Sequence, residues 1–137
     1  MRVFVAGATG VIGRQLVPQL VEAGHTVVGS TRSSTKAAWL ADAGAKAAVM
    51  DPLDRAEVMT AVMRAEPDVV VHELTALRGQ TDLRRFDRSF AETNELRTRG
   101  IDILLEAAQT AGATRFLAQS YTGWPNAREG GPVKTEE

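Results

Sequence analysis

The sequence predicts an α/β fold built on a doubly wound parallel sheet. Three observations carry that prediction. Short apolar runs alternate with helix-period segments along the 137 residues. The clearest of those runs, Val3–Ala6 and Val69–Val71, are nearly continuous in apolar residues, as strands covered on both faces are. Glycines Gly24, Gly44 and Gly112 stand where successive helices must end.

Taken in order, Val3 to Ala6 reads as the first strand, and it runs into Gly7. Ile12, Leu16 and Leu20, with Val17 and Val21 beside them, form a helical stripe. Pro18 lies inside that helix, about two turns in, where a local kink is expected. Thr26 to Gly29 is the second strand, and Ser33 to Thr35 is a turn rich in capping residues. Lys36 to Ala43 reads as a short helix, and Ala45 to Met50 as a third strand weakened by alanine. Asp51-Pro52-Leu53-Asp54 turns the chain into a helix whose apolar face is Val58 and Val62 with Met59 and Met63. Val69-Val70-Val71 is the most strand-like run. A loop spans Thr75 to Thr81. Leu83, Phe86 and Phe90, then Ile101, Leu104, Leu105 and Ala108, recur at helical spacing, giving one long helix or two abutting ones. Arg115 to Gln119 is the fifth strand. Strict alternation with right-handed crossovers gives five parallel strands in the order 3-2-1-4-5. Residues 1–122 form one domain, and 123–137 form a polar tail without periodicity.

Composition narrows the classes of function. A net charge of −1 argues against a broad nucleic-acid surface, so no nucleic-acid partner is expected. The chain has no cysteine, which excludes disulfides and thiol nucleophiles. No apolar run approaches bilayer length, so no membrane partner is expected, and the expected location is the cytoplasm. No metal is expected: His25 and His72 are the only histidines and no His-Glu-x-x-His or carboxylate cluster occurs. Both histidines read as structural or surface residues.

The informative motif is Gly7-Ala8-Thr9-Gly10-Val11-Ile12-Gly13, a G-x-x-G-x-x-G run between the first strand and the first helix. This is the context a dinucleotide-binding turn requires, and it makes the fold Rossmann-like. Gly7 permits the sharp turn out of the strand. Gly10, lacking a Cβ, lets the chain approach a pyrophosphate, and Gly13 lets the helix pack close to the strand. The helix N-terminus offers unpaired N–H groups and the positive end of its dipole. No Gly-Lys-Ser/Thr follows, so a mononucleotide P-loop is excluded.

The segment after the second strand speaks to which dinucleotide. An acid about 20 residues beyond the glycines holds the ribose 2′-hydroxyl of NAD. Between Glu22 and Asp42 there is none; the chain reads Ser30-Thr31-Arg32-Ser33-Ser34. A guanidinium beside hydroxyls suits a 2′-phosphate. The cofactor expected is therefore NADP, with NAD as the alternative. Asp51, after the third strand, stands where a carboxylate accepts from the adenine amino group; the competing role is a helix cap, which Asp54 can also supply. Candidate cofactor contacts are Gly7, Thr9, Gly10, Val11, Ile12, Gly13, Thr31, Arg32, Ser33 and Asp51.

The run Gly7 to Gly13 resembles the extended short-chain dehydrogenase/reductase family, which includes the NAD-dependent epimerase/dehydratases. Asp51-Pro52-Leu53-Asp54 is similar to its Asp-x-x-Asp. Asp68-Val69-Val70-Val71-His72 is similar to its fourth strand, Leu104-Leu105-Glu106-Ala107-Ala108 to its helix before strand five, and Arg115-Phe116-Leu117 to the opening of that strand. The resemblance spans Met1 to about Gly123. It implies hydride transfer between a nicotinamide and a small-molecule substrate, and it adds Pro52, Leu53, Leu74 and Thr75 to the candidate cofactor contacts.

Departures from the family pattern bear on the chemistry. Glu73-Leu74-Thr75 replaces the usual Leu-Ala-Ala, and Arg97 stands where an asparagine is common, with Asn94 one turn earlier. In Gln119-Ser120-Tyr121-Thr122-Gly123, either Ser120 or Thr122 fills the place of the family's catalytic Ser/Thr. The family's Tyr-x-x-x-Lys is absent: four residues after Tyr121, the one tyrosine, comes Pro125. Two readings stay open. The chain is the cofactor-binding part of a longer oxidoreductase or epimerase/dehydratase, or it is a non-catalytic NADP-binding, redox-sensing module. The edge of a fifth strand left uncovered would suit pairing with a second copy as a homodimer.

Overall fold

The computed structural model describes residues 1–77 and 86–119. Its elements are β1 (Arg2–Ala6), α1 (Gly13–Glu22), β2 (Thr26–Thr31), α2 (Ser34–Asp42), β3 (Lys46–Val49), α3 (Arg55–Ala65), β4 (Val69–His72), α4 (Phe86–Arg97), α5 (Arg99–Thr110) and β5 (Arg115–Ala118). The strands form one sheet in the order β3-β2-β1-β4-β5, every pair parallel. That is the predicted topology.

Alternation along β1 explains why both faces of the sheet are covered. Val3 and Val5 point to one face, where Val17 of α1 and Leu40 of α2 pack on them with Val27, Val69 and Val71. Phe4 and Ala6 point to the other, against Val58 and Val62 of α3, Leu96 of α4 and Leu104 of α5. Side chains of successive strand residues lie on opposite sides, so a strand apolar at every position needs helices above and below. β1 and β4 sit at the centre, where only such runs are stable.

The structure departs from expectation at Ile12 and at the end of β2, each with a local cause. The helical stripe of α1 begins at Leu16 and Val17, not at Ile12, which is the N-cap residue and 44% exposed. It lies past the end of β1, where no strand remains to cover it. α1 continues through Pro18 to Glu22. β2 extends two residues further than predicted, to Thr31, because Ser30 and Thr31 pair with Ala48 and Val49 of β3 and their hydroxyls find internal partners. Of the two arrangements open for the region before β5, the chain forms two abutting helices, with Thr98 as the N-cap residue of α5. Leu83 lies outside the described residues.

Candidate functional site

In an open parallel sheet, ligands bind outside the carboxyl ends of the strands, where the strand order reverses. Here that crevice lies between β1 and β4, and the Gly7–Gly13 turn crosses it. Gly7 has φ 87°, the left-handed region that glycine enters without strain. A Cβ on Gly7 would lie 2.6 Å from the Glu73 carbonyl oxygen, so β4's extension passes directly over the turn. A Cβ on Gly13 would lie 2.4 Å from the Ala8 carbonyl oxygen. The close approach that Gly13 permits is therefore to the turn's own backbone, not to β1 as the spacing suggested.

The turn is held by a hydrogen-bond set from β2. The Gly7 N–H donates to Ser30 Oγ at 3.1 Å, and Thr9 Oγ1 donates to Thr31 Oγ1 at 3.2 Å. Thr31 Oγ1 also accepts from the Ser33 N–H at 3.2 Å. Ser30 and Thr31 are 2% and 6% exposed. Their hydroxyls thus anchor the Gly-rich turn, whereas the sequence offered Thr31 to a 2′-phosphate. Ser30 was not among the predicted contacts. Its hydroxyl followed by a guanidinium is visible in the sequence, but its partner Gly7 is a product of strand pairing.

Gly10 N–H donates to the Gly7 carbonyl at 2.9 Å, and Arg14 N–H donates to the Gly10 carbonyl at 3.0 Å. Among the described residues, the amides of Val11, Ile12 and Gly13 meet no backbone acceptor. Three N–H groups at a helix start, beside an exposed glycine whose absent Cβ leaves a cradle, fit a pyrophosphate. Val11, 89% exposed, and Ile12 present apolar surface beside them.

The remaining predicted contacts fall around this turn. Arg32 follows β2, and its Nη1 donates to Glu92 Oε1 at 2.7 Å. Ser33 Oγ is 2.7 Å from Thr35 Oγ1. Asp51 follows β3; its Oδ1 accepts from the Leu53 N–H at 3.0 Å, and its own N–H donates to Glu57 Oε2 at 2.7 Å. Asp54, not Asp51, caps α3, accepting from the Ala56 and Glu57 amides. Asp51 is exposed, Pro52 buried and Leu53 half-buried. Leu74 is packed in the core with Phe4 and Val70, leaving only its backbone to face a ligand, while Thr75 is exposed. Ser120 and Thr122 lie outside the described residues, as do Tyr121 and Trp124. Trp39 packs against the α1 side of the sheet with the Arg14 guanidinium 5.4 Å from its ring centroid. A groove of about 600 Å³ between β3 and α3, lined by Lys46, Val49, Thr60 and Arg64, opens at the sheet edge; none of the predicted contacts lines it.

The crevice also holds two adjacent titratable groups. His72 is buried, and its Nε2–H donates to the Leu96 carbonyl at 3.2 Å. Burial holds its pKa below the usual histidine value, with Arg97 acting in the same sense. Glu73 is half-buried, with Oε2 unpartnered among the described residues. Burial pushes its carboxyl up against an opposing pull from Arg97. Arg97 itself donates to the Gln119 carbonyl at 2.7 Å.

The depressed His72 pKa has a measurable consequence. Between the unfolded value of about 6.5 and the lower folded value, the unfolded chain binds more protons. Stability from neutral His72 is therefore fully present above about pH 6.5 and is lost as pH falls through the folded pKa. His72→Gln keeps a donor toward Leu96 and cannot titrate. Urea unfolding from pH 7.5 downward should show a steeper acid-side loss for the unmodified chain than for the variant. Parallel curves would remove His72 as the cause.

A family model described as NAD(P)H-binding matches residues 7–136. A Streptomyces protein named 3-diazoavenalumate denitrifying reductase is 47% identical over 139 residues, covering 100% of this chain and 43% of its own length. This chain thus spans less than half of that relative. Bordetella bronchiseptica WbmG, solved with NAD and UDP, superimposes with a TM-score of 0.68 at 24% identity, over 86% of this chain and 36% of that one. Yeast methylglyoxal/isovaleraldehyde reductase complexed with NADPH superimposes at 0.67 with 23% identity, again over 86% and 36%. At these identities the two structures show a shared fold.

Proposed function

The chain belongs to the NAD(P)H-binding family, and on that premise we propose that it holds NADP(H) across the carboxyl ends of β1, β2 and β4 as the cofactor-binding part of a reductase. Arg32 carries the choice of nucleotide. It stands at the end of β2, on a segment without any acid, where it meets a 2′-phosphate as a charge-assisted donor. The amides of Val11, Ile12 and Gly13 take the pyrophosphate, with Gly7, Thr9 and Gly10 shaping the turn beneath it. The exposed Val11 and Ile12 would pack against the nucleotide. Asp51 accepts from the adenine amino group through Oδ2, since Oδ1 is engaged by Leu53; Pro52 and Leu53 flank the base. Ser33 adds a donor to the phosphate. The backbones of Leu74 and Thr75 border the ribose and nicotinamide.

A bound nicotinamide supplies the hydride. The chain's own part would be to hold and orient it through the backbone of Leu74 and Thr75. Ser120 or Thr122 orients the oxygen of a small-molecule substrate. The reductase assignment is supported by the 47% identical relative, itself named a reductase. The sequence contains no Tyr-x-x-x-Lys, so proton transfer is not assigned to that pair here.

Calorimetric titration tests the cofactor assignment. NADPH should bind about 10- to 100-fold more tightly than NADH, the range expected of one charge-assisted contact. Arg32→Asp should abolish or reverse the preference. Equal affinities in the unmodified chain would remove Arg32 from the site.

A further inference from the structure

Arg32 does not wait for a phosphate with its guanidinium free. Its Nη1 donates to Glu92 Oε1 at 2.7 Å, across 60 residues of sequence. Glu92 lies on α4, which follows β4, so the pair links the segment after β2 to a helix from the far half of the sheet. The two side chains are 41% and 52% exposed, so a soluble anion can reach the guanidinium. Among the described residues no other acid contacts Arg32. A carboxylate and a phosphate use the same donor fork on a guanidinium, so the two compete for it.

We propose that Glu92 tunes the nucleotide preference of this chain as an intramolecular competitor, its carboxylate holding the Arg32 Nη1 donor that a 2′-phosphate would also use. The proposal rests on Arg32 reading the 2′-phosphate, as argued above. For its 2′-phosphate to use Nη1 as well as the other Arg32 donors, NADPH must displace the Glu92 carboxylate. NADH carries a hydroxyl there and leaves the pair intact. Glu92 thus narrows the gap between the two nucleotides, and it supplies in space the acid that the segment after β2 lacks in sequence.

The test is calorimetric titration of the chain with NADPH and with NADH at low ionic strength, where an exposed ion pair is least screened. Glu92→Gln preserves the length of the side chain and removes its charge. NADPH should then bind about two- to fivefold more tightly, the most that an exposed pair of this kind can withhold. NADH affinity should stay unchanged within error. In an Arg32→Ala background the same substitution should lose at least half of its effect, because it acts through Arg32. Unchanged NADPH affinity in Glu92→Gln, together with weakened NADPH binding in Arg32→Ala, would overturn the competition and leave Arg32 as the phosphate contact. Unchanged NADPH affinity in Arg32→Ala would overturn the phosphate contact and the competition with it. Equal gains for NADPH and NADH in Glu92→Gln would also overturn the proposal, because they would mark a general change in surface charge.

Discussion

Gly10→Val is expected to eliminate measurable binding of both NADPH and NADH while the chain keeps its fold. The two halves of that expectation come from one position. Gly10 is exposed and adopts none of the left-handed backbone seen at Gly7. A Cβ there meets a single close atom, the Gly7 carbonyl oxygen at 3.2 Å, so the turn needs to yield by only a few tenths of an ångström. The expected loss of stability is at most about 1 kcal/mol. On the outer side, the valine methyls stand where a pyrophosphate must approach the amides of Val11, Ile12 and Gly13. Pushing the phosphates away by a methyl's breadth forfeits several charge-assisted bonds, and affinity should fall by about 100-fold or more. Titration with both nucleotides reads the binding, and circular dichroism on heating reads the fold. If the variant melts early, Gly10→Ala is the milder probe of the same space. Binding retained within threefold by a folded Gly10→Val would mean that the pyrophosphate lies elsewhere.

The topology was legible because the sheet centre leaves a strong imprint. Val3–Ala6 and Val69–Val71 are apolar at every position, and only strands covered on both faces read that way. The Gly-rich turn was legible for a similar reason, since Gly7 takes a left-handed backbone and Gly13 a close backbone contact that side chains resist. Contacts made through tertiary approach were not legible. Nothing in the sequence near Glu92 points to Arg32, and nothing near Ser30 points to Gly7, because strand order alone brings them together. The same limit explains Gly29, whose added Cβ would lie 2.7 Å from both Ala8 Cβ and a Leu40 methyl. As a residue in a strand it looks like a weakness; in the folded chain it is the space in which α2 and the turn meet.

The hydroxyls of Ser30 and Thr31 are both engaged inside the protein. The place of Thr31 beside Arg32 reads in the sequence as that of a phosphate contact. Burial decides otherwise: a hydroxyl removed from water needs a partner inside the protein, and each found one in the Gly-rich turn. The consequence is mechanical. Two hydrogen bonds tie the Gly-rich turn to the end of the strand that precedes Arg32.

Gly7→Ala, in contrast to Gly10→Val, is expected to damage the fold itself. At φ 87° an L residue brings its Cβ against its own backbone, a penalty of about 1–2 kcal/mol. The new Cβ also meets the Glu73 carbonyl oxygen at 2.6 Å, its carbon at 2.8 Å and the Leu74 nitrogen at 3.1 Å. All three are backbone atoms, so no rotamer change can make room. Relief requires β4's extension to move off β1, where the Glu73 N–H donates to the Ala6 carbonyl at 2.9 Å. It would equally strain the bond from the Gly7 amide to Ser30 Oγ. Overpacking against fixed backbone adds about 1–3 kcal/mol, for a total of roughly 2–5 kcal/mol. For a domain of this size that lowers Tm by about 10 °C or more. Melting curves of Gly7→Ala and Gly10→Ala side by side provide the check, because the two substitutions add the same methyl to the same turn. The first should melt far below the second. Equal melting temperatures would mean that β4 does not pass over Gly7 as described, and the geometry of the cofactor crevice would have to be redrawn.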